Sequence, residues 1–341
     1  MSSQLLQGGE RAATAAACAN VALVKYWGKR DPVRNLPAVG SLSVTLADLT
    51  ATARVTHFDT PPQSVFSQDG EMVRGVPAER MGEFLREVLR FADASGHLAA
   101  DVEANFPVGA GLASSAAIHC AVAAAALSVL GRTVTREQLS ALARVGSGSA
   151  ARSVYGGFAE WLRGERDDGS DSIARPLLSE GEWDLAVAVA IVSEKKKDAA
   201  SRDAMAHVAR TSPLYGGWLA AQPDDLEQAK RAIAARDLAR LGEIAEENCL
   251  RMHATCFAAR PPVLYFRPAT LAAIEAVRDL RGQGIPAYFT IDAGPQVKVL
   301  CEAASLTTVM TALAGVPGVQ RVIPSRPGPG VRMVAGAVPW T

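Results

Sequence analysis

The sequence predicts an α+β protein of about two domains, and three observations carry that prediction. Its 341 residues are too many for one ordinary domain. Apolar residues make up 49% and charged residues 21%, which is the balance of a packed chain and not of a disordered one. Segments with the period of a strand and segments with the period of a helix both recur along the whole length, without an internal repeat.

Taken in order, residues 1–10 are polar and read as a frayed end. Residues 16–25, 41–48 and 51–58 read as strands. In Ser41-Leu42-Ser43-Val44-Thr45-Leu46 hydroxyls alternate with apolar side chains, the pattern of a half-buried strand. Residues 81–94 carry Phe84, Leu85, Val88, Leu89, Phe91 and Ala92 at helical spacing, and Gly96 stands where a C-terminal cap would. A short strand at 102–106 leads through a loop, 107–112, into an alanine-rich helix at 114–130. Thr135-Arg136-Glu137-Gln138 is a capping-box pattern, opening a helix that ends near Gly146. The acidic loop 164–171 approaches a domain boundary, which divides the chain into 1–183 and 184–341. The continuous apolar run 185–192 is a buried strand. Residues 201–210 and 224–253 are helical, the latter one long helix with a mostly solvated face. A helix at 270–281, strands at 287–291 and 297–301 and a helix at 306–315 follow. The Pro- and Gly-rich tail, 324–341, ends in an edge strand.

Charge excludes several functions. Thirty-five Lys and Arg balance 35 Asp and Glu. A neutral chain lacks the bulk field that nucleic-acid and anionic-membrane binders use. No apolar run reaches the ~18–20 residues of a membrane span. The alanine-rich stretch 12–24 lacks a basic leader beyond Arg11, so it reads as a strand and not as a signal peptide. Cys18, Cys120, Cys249, Cys256 and Cys301 are scattered without a CxxC pair. That argues against a disulfide framework or structural zinc, and for small buried hydrophobes in a reducing cytoplasm.

Four segments have the residue types that chemistry needs. Pro107-Val108-Gly109-Ala110-Gly111-Leu112-Ala113-Ser114-Ser115 joins a strand to a helix. Its glycines let backbone approach a ligand, and the helix start offers free N–H groups to an anion. Ser114 and Ser115 supply helix caps and hydroxyls for phosphate or Mg²⁺; the alternative is an ordinary serine-capped loop, and no Walker A pattern is present. Gly146-Ser147-Gly148-Ser149-Ala150-Ala151-Arg152-Ser153 exposes backbone N–H groups beside a guanidinium suited to carboxylate or phosphate, or is a flexible loop. Asp292 ends an apolar strand before Gly294-Pro295, pointing into a cleft or capping a turn. Lys25-Tyr26-Trp27-Gly28-Lys29-Arg30 interleaves three cations with two aromatics. Lys195, Lys196 and Lys197 read as a solvated basic loop. The five histidines are scattered and take no catalytic role.

Together these segments resemble the GHMP kinase superfamily and, within it, the diphosphomevalonate decarboxylases. The loop at 107–116 marks the superfamily. The narrower match lies in 24–31, Asn35-Leu36-Pro37, Ser43-Val44-Thr45-Leu46, 146–153, Gly156-Gly157-Phe158, Met252-His253-Ala254-Thr255-Cys256, Pro261-Pro262 and Asp292-Ala293-Gly294-Pro295, in the family's order over about 13–302. The resemblance implies a ribosomal-S5-like N-terminal domain and a ferredoxin-like C-terminal domain with the site between them. It implies ATP, Mg²⁺, a 5-diphosphomevalonate substrate, no organic cofactor, and a homodimer. Asp292 matches the family's essential aspartate, Lys25 the lysine beside it, and Arg152 the arginine that grips the substrate carboxylate. Tyr26, Lys29, Ser147, Ser149, Arg202, Met205 and Ala293 match substrate positions. Pro107, Gly109, Ala110, Gly111, Leu112, Ala113, Ser114 and Ser115 match the ATP side, with Ser115 on the metal.

The match has departures. Ala38-Val39-Gly40 replaces polar residues that the family places near the nucleotide or substrate, and Gln296 stands where Asn is common. Two sister enzymes share the scaffold, a mevalonate 3-kinase and a phosphomevalonate decarboxylase. A ligand-binding protein without turnover is the alternative of another class. Asp292 with Lys25 favours the full decarboxylase, and Arg202 with Lys29 favours a diphosphate.

Overall fold

The computed structural model describes residues 11–195 and 201–341. The expected frayed end at 1–10, and Lys196 and Lys197 of the basic run, lie outside the described residues.

The first sheet is built on β1 (Arg11–Val24) and β4 (Ser41–Phe58), paired antiparallel along most of their length. The two expected strands at 41–48 and 51–58 are one strand of 18 residues. Between β1 and β4 lies a small ribbon of β2 (Lys29–Asp31) and β3 (Leu36–Pro37). β5 (Phe66–Gln68), β6 (Glu71–Met72) and β7 (His97–Ala104) extend the sheet on one side of β4. β8 (Phe158–Trp161) and β9 (Ala174–Leu178) pair beside the start of β4. β7 lies earlier and is longer than the strand expected at 102–106.

α1 (Val76–Phe91), α2 (Ser114–Val129) and α3 (Arg136–Gly146) accompany this sheet. α1 starts five residues before the expected 81–94, with a proline in its first turn, and ends on Ala92 and not on Gly96. Gly96 takes positive φ in the turn beyond. α2 is alanine-rich and buried on nearly every side, so it passes through the core and has no polar face. α3 has the expected capping box: Thr135 Oγ1 accepts from Gln138 N, and Gln138 Oε1 accepts from Thr135 N.

The second sheet has the order β11-β12-β10-β13, from β10 (Leu185–Ile191), β11 (Ala287–Ile291), β12 (Val297–Glu302) and β13 (Arg321–Ser325). β10 explains its unbroken apolar run. Leu185, Val187, Val189 and Ile191 pack into the core of the first sheet. Ala186, Ala188 and Ala190 face the core under α7 (Pro268–Gly282) and α8 (Leu306–Ala314). The period of two thus sends alternate side chains into two apolar cores.

α4 (Ser201–Thr211) matches its expected span. The expected single helix at 224–253 is two, α5 (Tyr215–Ala235) and α6 (Leu238–Phe257). The chain breaks where Arg236 takes φ 55 and Asp237 caps α6 by accepting from Arg240 N. Nor is the second part mainly solvated: α6 buries Leu241, Ile244, Ala245, Asn248, Cys249 and Met252. The tail ends in the expected edge strand, β14 (Arg332–Ala335), which returns to pair with β1. Among the described residues no helix is long and apolar enough to cross a membrane.

Candidate active site

Three charged groups from three strand ends meet at one point. Asp292 follows the last residue of β11, Lys25 follows the last residue of β1, and Lys298 lies on β12. Lys25 Nζ donates to Asp292 Oδ1 at 2.7 Å, and Lys298 Nζ stands 3.1 Å from Oδ2. Both lysines are buried, at 1% and 0% exposure. Burial pushes the Asp292 carboxyl up, but the two ammonium groups outweigh it and hold it well below the usual carboxylate range. The aspartate is therefore ionised at any working pH and is a weak base.

Each ammonium is fixed by a second bond. Lys25 Nζ donates to Ala22 O at 2.7 Å, and Lys298 Nζ donates to Gly111 O at 3.0 Å. The Lys25 main chain is fixed as well: its N–H donates to Asn248 Oδ1 on α6 at 2.8 Å. Asn248 donates onward to Asp225 on α5 at 2.7 Å.

Arg152 lies in a 3₁₀ turn, Gly148–Val154, and of the two readings open for this segment, an anion site or a flexible loop, the flexible loop does not hold. Gly148, Ala150, Ala151, Arg152, Ser153 and Val154 are all buried. Arg152 Nε donates to Asn20 Oδ1 at 3.1 Å, and Nη1 donates to Ser41 Oγ at 2.5 Å. Burial lowers its pKa to about 10 against the pull of Asp292, so it stays charged at neutral pH. Asn20 is itself fixed by donating to Ser149 O and Ser153 Oγ.

The glycine-rich loop leads into α2 through Ala113, which takes φ 57. Ser114 and Ser115 do not cap the helix as expected: they are its first two residues, and no side chain caps it. Ser114 Oγ instead accepts from Gly109 N inside the loop, at 3.3 Å. Ser115 Oγ lies 2.9 Å from Ser147 Oγ. Gly111 has φ 91, and a Cβ there would come within 2.9 Å of Gly294 Cα. Loop and aspartate turn touch backbone to backbone, and only glycine fits on either side.

A cavity of about 560 Å³ runs across these parts. Asp292, Lys25, Arg152, Tyr26, Lys29, Ser147, Ser149, Arg202, Met205 and Ala293 all line it. From the loop Gly109, Gly111, Ala113, Ser114 and Ser115 line it. Pro107, Ala110 and Leu112 do not; Ala110 and Leu112 are buried beneath the loop. Gln296 holds Ala110 from below, donating to its carbonyl at 2.9 Å. Ala38, Val39 and Gly40 also stay off the cavity wall, and Val39 packs with Trp27 in a small core.

One end of the cavity is cationic. Lys29 Nζ donates to Asn35 Oδ1 at 2.5 Å, Arg202 donates to Gly146 O at 3.4 Å, and Arg80 pairs with Asp203 at 3.8 Å. Burial, then Arg202 and Arg80, lower Lys29 to about 7.

This arrangement meets a matching family at both ends of the chain. Residues 17–174 match a family model described as the diphosphomevalonate decarboxylase-like N-terminal domain. Residues 187–325 match the mevalonate 5-diphosphate decarboxylase C-terminal domain. The chain belongs to the diphosphomevalonate decarboxylase family. The bovine diphosphomevalonate decarboxylase is 37% identical over 309 residues, covering 84% of this chain and 76% of the relative. The solved mevalonate diphosphate decarboxylase of Staphylococcus aureus superposes with a TM-score of 0.89 at 36% identity, over 96% of this chain and 98% of that one. A structure of MDDEF in complex with MVAPP, AMPPCP and magnesium superposes with a TM-score of 0.89 at 38% identity, over 96% of this chain and 100% of that one.

Within this family site, the sequence reading missed Lys298, Asn20, Asn35 and Arg80. Lys298 and Asn20 had a signal: each is a lone polar side chain inside an apolar strand, which is costly unless partnered. Arg80 had none, being one of several charges on an amphipathic helix.

Proposed function

We propose that the cavity carries out the ATP-dependent decarboxylation of 5-diphosphomevalonate to isopentenyl diphosphate, with ADP, phosphate and CO₂ as the other products. One observation carries this reading: an ionised Asp292 between two buried ammonium groups shares a cavity with a buried arginine and an uncapped glycine-rich helix start. A phosphoryl acceptor, a carboxylate and a triphosphate each find the partner they need.

In this reading Arg152 holds the substrate carboxylate and Asp292 accepts a hydrogen bond from the 3-hydroxyl. Weak as a base, the aspartate orients the hydroxyl first and takes its proton as the new O–P bond completes. The bond from the γ-phosphorus to ADP breaks as that bond forms. In the second stage the C–C bond to the carboxylate breaks, its electron pair forms the C=C bond, and the 3-phosphate leaves with the C–O pair. Lys25 faces the charge that develops. Gly109, Gly111, Ala113 and Ser114 form the nucleotide side. Tyr26, Ser149, Met205 and Ala293 shape the substrate side, and Lys29 and Arg202 receive the diphosphate.

Mg²⁺ fits the donor set as a partner of ATP. Among the described residues no cluster of three His, Cys, Asp or Glu could bind it alone. The neighbouring hydroxyls of Ser115 and Ser147 suit an ion that keeps water and phosphate oxygens as its main ligands. Bound there, the ion would neutralise phosphate charge. The same reading divides the chain near residue 183, sets it in a reducing cytoplasm that suits its five free buried cysteines, and makes it a homodimer by family likeness.

The deciding assay follows ADP and CO₂ with mevalonate, its 5-phosphate and its 5-diphosphate. CO₂ should form fastest from the diphosphate. ADP without CO₂ identifies a 3-kinase, preference for the 5-phosphate identifies the sister decarboxylase, and no product from any of the three leaves a binding protein.

Lys29 adds a pH dependence. Its pKa in the empty site is lowered to about 7, and a bound diphosphate would raise it again. Above that value the free enzyme must take up a proton to bind, so the substrate KM should rise by up to about tenfold per pH unit from pH ~7 to ~9. Lys29→Met should have a high, flat KM. A wild-type KM that is constant to pH ~9 would remove Lys29 from the diphosphate site.

A further inference from the structure

We propose that Lys298 is a positioning residue of the reaction, its one ammonium group holding the Asp292 carboxylate and the Gly111 carbonyl in fixed register. The proposal rests on the reading of Asp292 given above.

Packing of the strand alone does not call for a lysine at this place. Its neighbours along β12 are Val297, Val299, Leu300 and Cys301, all buried without exposure. Apolar side chains of similar volume in place of a whole buried ion pair are often neutral or stabilising, so packing alone does not call for the pair here. Burial works against the charge, as does the nearby Lys25, and Asp292 opposes both. What the charge achieves is geometric. Lys25 holds Oδ1 at 2.7 Å, and Lys298 lies 3.1 Å from Oδ2. A hydrogen bond at one oxygen and an ion pair at the other restrict the plane of the carboxylate. The hydrogen bond to Gly111 O then ties that plane to the loop on the nucleotide side. One cation thus relates the acceptor side of the transfer to the donor side, where small displacements cost rate.

The other groups near Asp292 do not replace it. Arg152 is committed to Asn20 and Ser41. From α6, burial keeps His253 neutral by lowering it to about 3, and burial pushes the Cys249 thiol up. Lys25 and Lys298 are therefore the cations in direct contact with the carboxylate.

The test is Lys298→Met and Lys298→Arg in the full-length protein. In Lys298→Met, kcat should fall roughly 10²-fold while KM for substrate and for ATP changes less than about threefold. Calorimetric binding of substrate and nucleotide should stay within the same threefold, which a general loss of structure would not leave. Lys298→Arg retains the charge and changes the reach, so kcat should fall with both KM values again held. Turnover of Lys298→Met within about twofold of wild type, or KM values that rise in step with the fall in kcat, overturns the proposal. If Lys298→Met does not fold, Lys298→Arg decides: wild-type kcat overturns the proposal, and a roughly tenfold loss with both KM values within about threefold supports it. Asp292→Asn run in parallel separates the two levels. Full turnover there refutes the role of Asp292 itself, whereas loss there with an unaffected Lys298→Met refutes only the role of Lys298.

Discussion

Asp292→Ala should abolish turnover while the protein still binds both substrate and nucleotide. On the proposed reading the carboxylate accepts from the 3-hydroxyl, and a positioned acid–base partner is typically worth ~10²–10⁴-fold in rate. The substitution has a second effect. Lys25 and Lys298 would then stand with two like charges and no anion between them. Leaving buried charge uncompensated costs about 3–5 kcal/mol. Asp292→Asn leaves the same two charges without an anion, so both variants should melt below wild type, Asn by less because its amide oxygen still accepts from an ammonium group, and both should be inactive. Calorimetric titration with each ligand, thermal melting and single-turnover ADP release measure the three quantities. Turnover within about tenfold of wild type would show that Asp292 has been given the wrong role.

Arg152→Gln should separate the two substrates. A hydrogen bond to a charged partner is worth about 1.5–3 kcal/mol, so KM for the carboxylate substrate should rise roughly 10- to 150-fold. KM for ATP should stay within about threefold, because the side-chain hydrogen bonds of Arg152 go to Asn20 and Ser41. Lysine is no conservative replacement here: the guanidinium uses its fork to satisfy two buried acceptors at once, which an ammonium on a different stem does not reproduce. Equal losses in both KM values would argue against a carboxylate contact.

Lys25, Arg152 and Asp292 were legible as cavity residues through the family resemblance of the short segments that hold them; residue types alone left each with an alternative. Asp292 is followed by Gly294-Pro295, and Arg152 by small residues. Lys298 was not legible in that way. Only the antiparallel register of β11 on β12, Thr290 opposite Lys298, turns a lysine in an apolar strand toward the aspartate. Pairing register is long-range information, which no local window carries. Arg80 reaches the cavity for a similar reason, through the docking of α1. The fold was legible where periodicity was strong, as in β10 and β11. It failed at 236–237, where a left-handed arginine and a capping aspartate divide a continuous helical pattern. At 148–154 the reading stayed divided between an anion site and a flexible loop, and only packing decides it: the small residues there are buried.

The contact between Gly111 and Gly294 has a consequence for substrate choice. Backbone against backbone leaves no compressible side chain at that point, so the distance from nucleotide to acceptor is set like the fixed jaw of a calliper. A shorter substrate cannot be accommodated by letting the two loops settle closer. On the proposed reading, discrimination between one phosphate and two falls to the other jaw, where Lys29, Arg202 and Arg80 line the cavity. Changes of chain-length preference are therefore expected to map to those three cations, with the glycine seam unchanged.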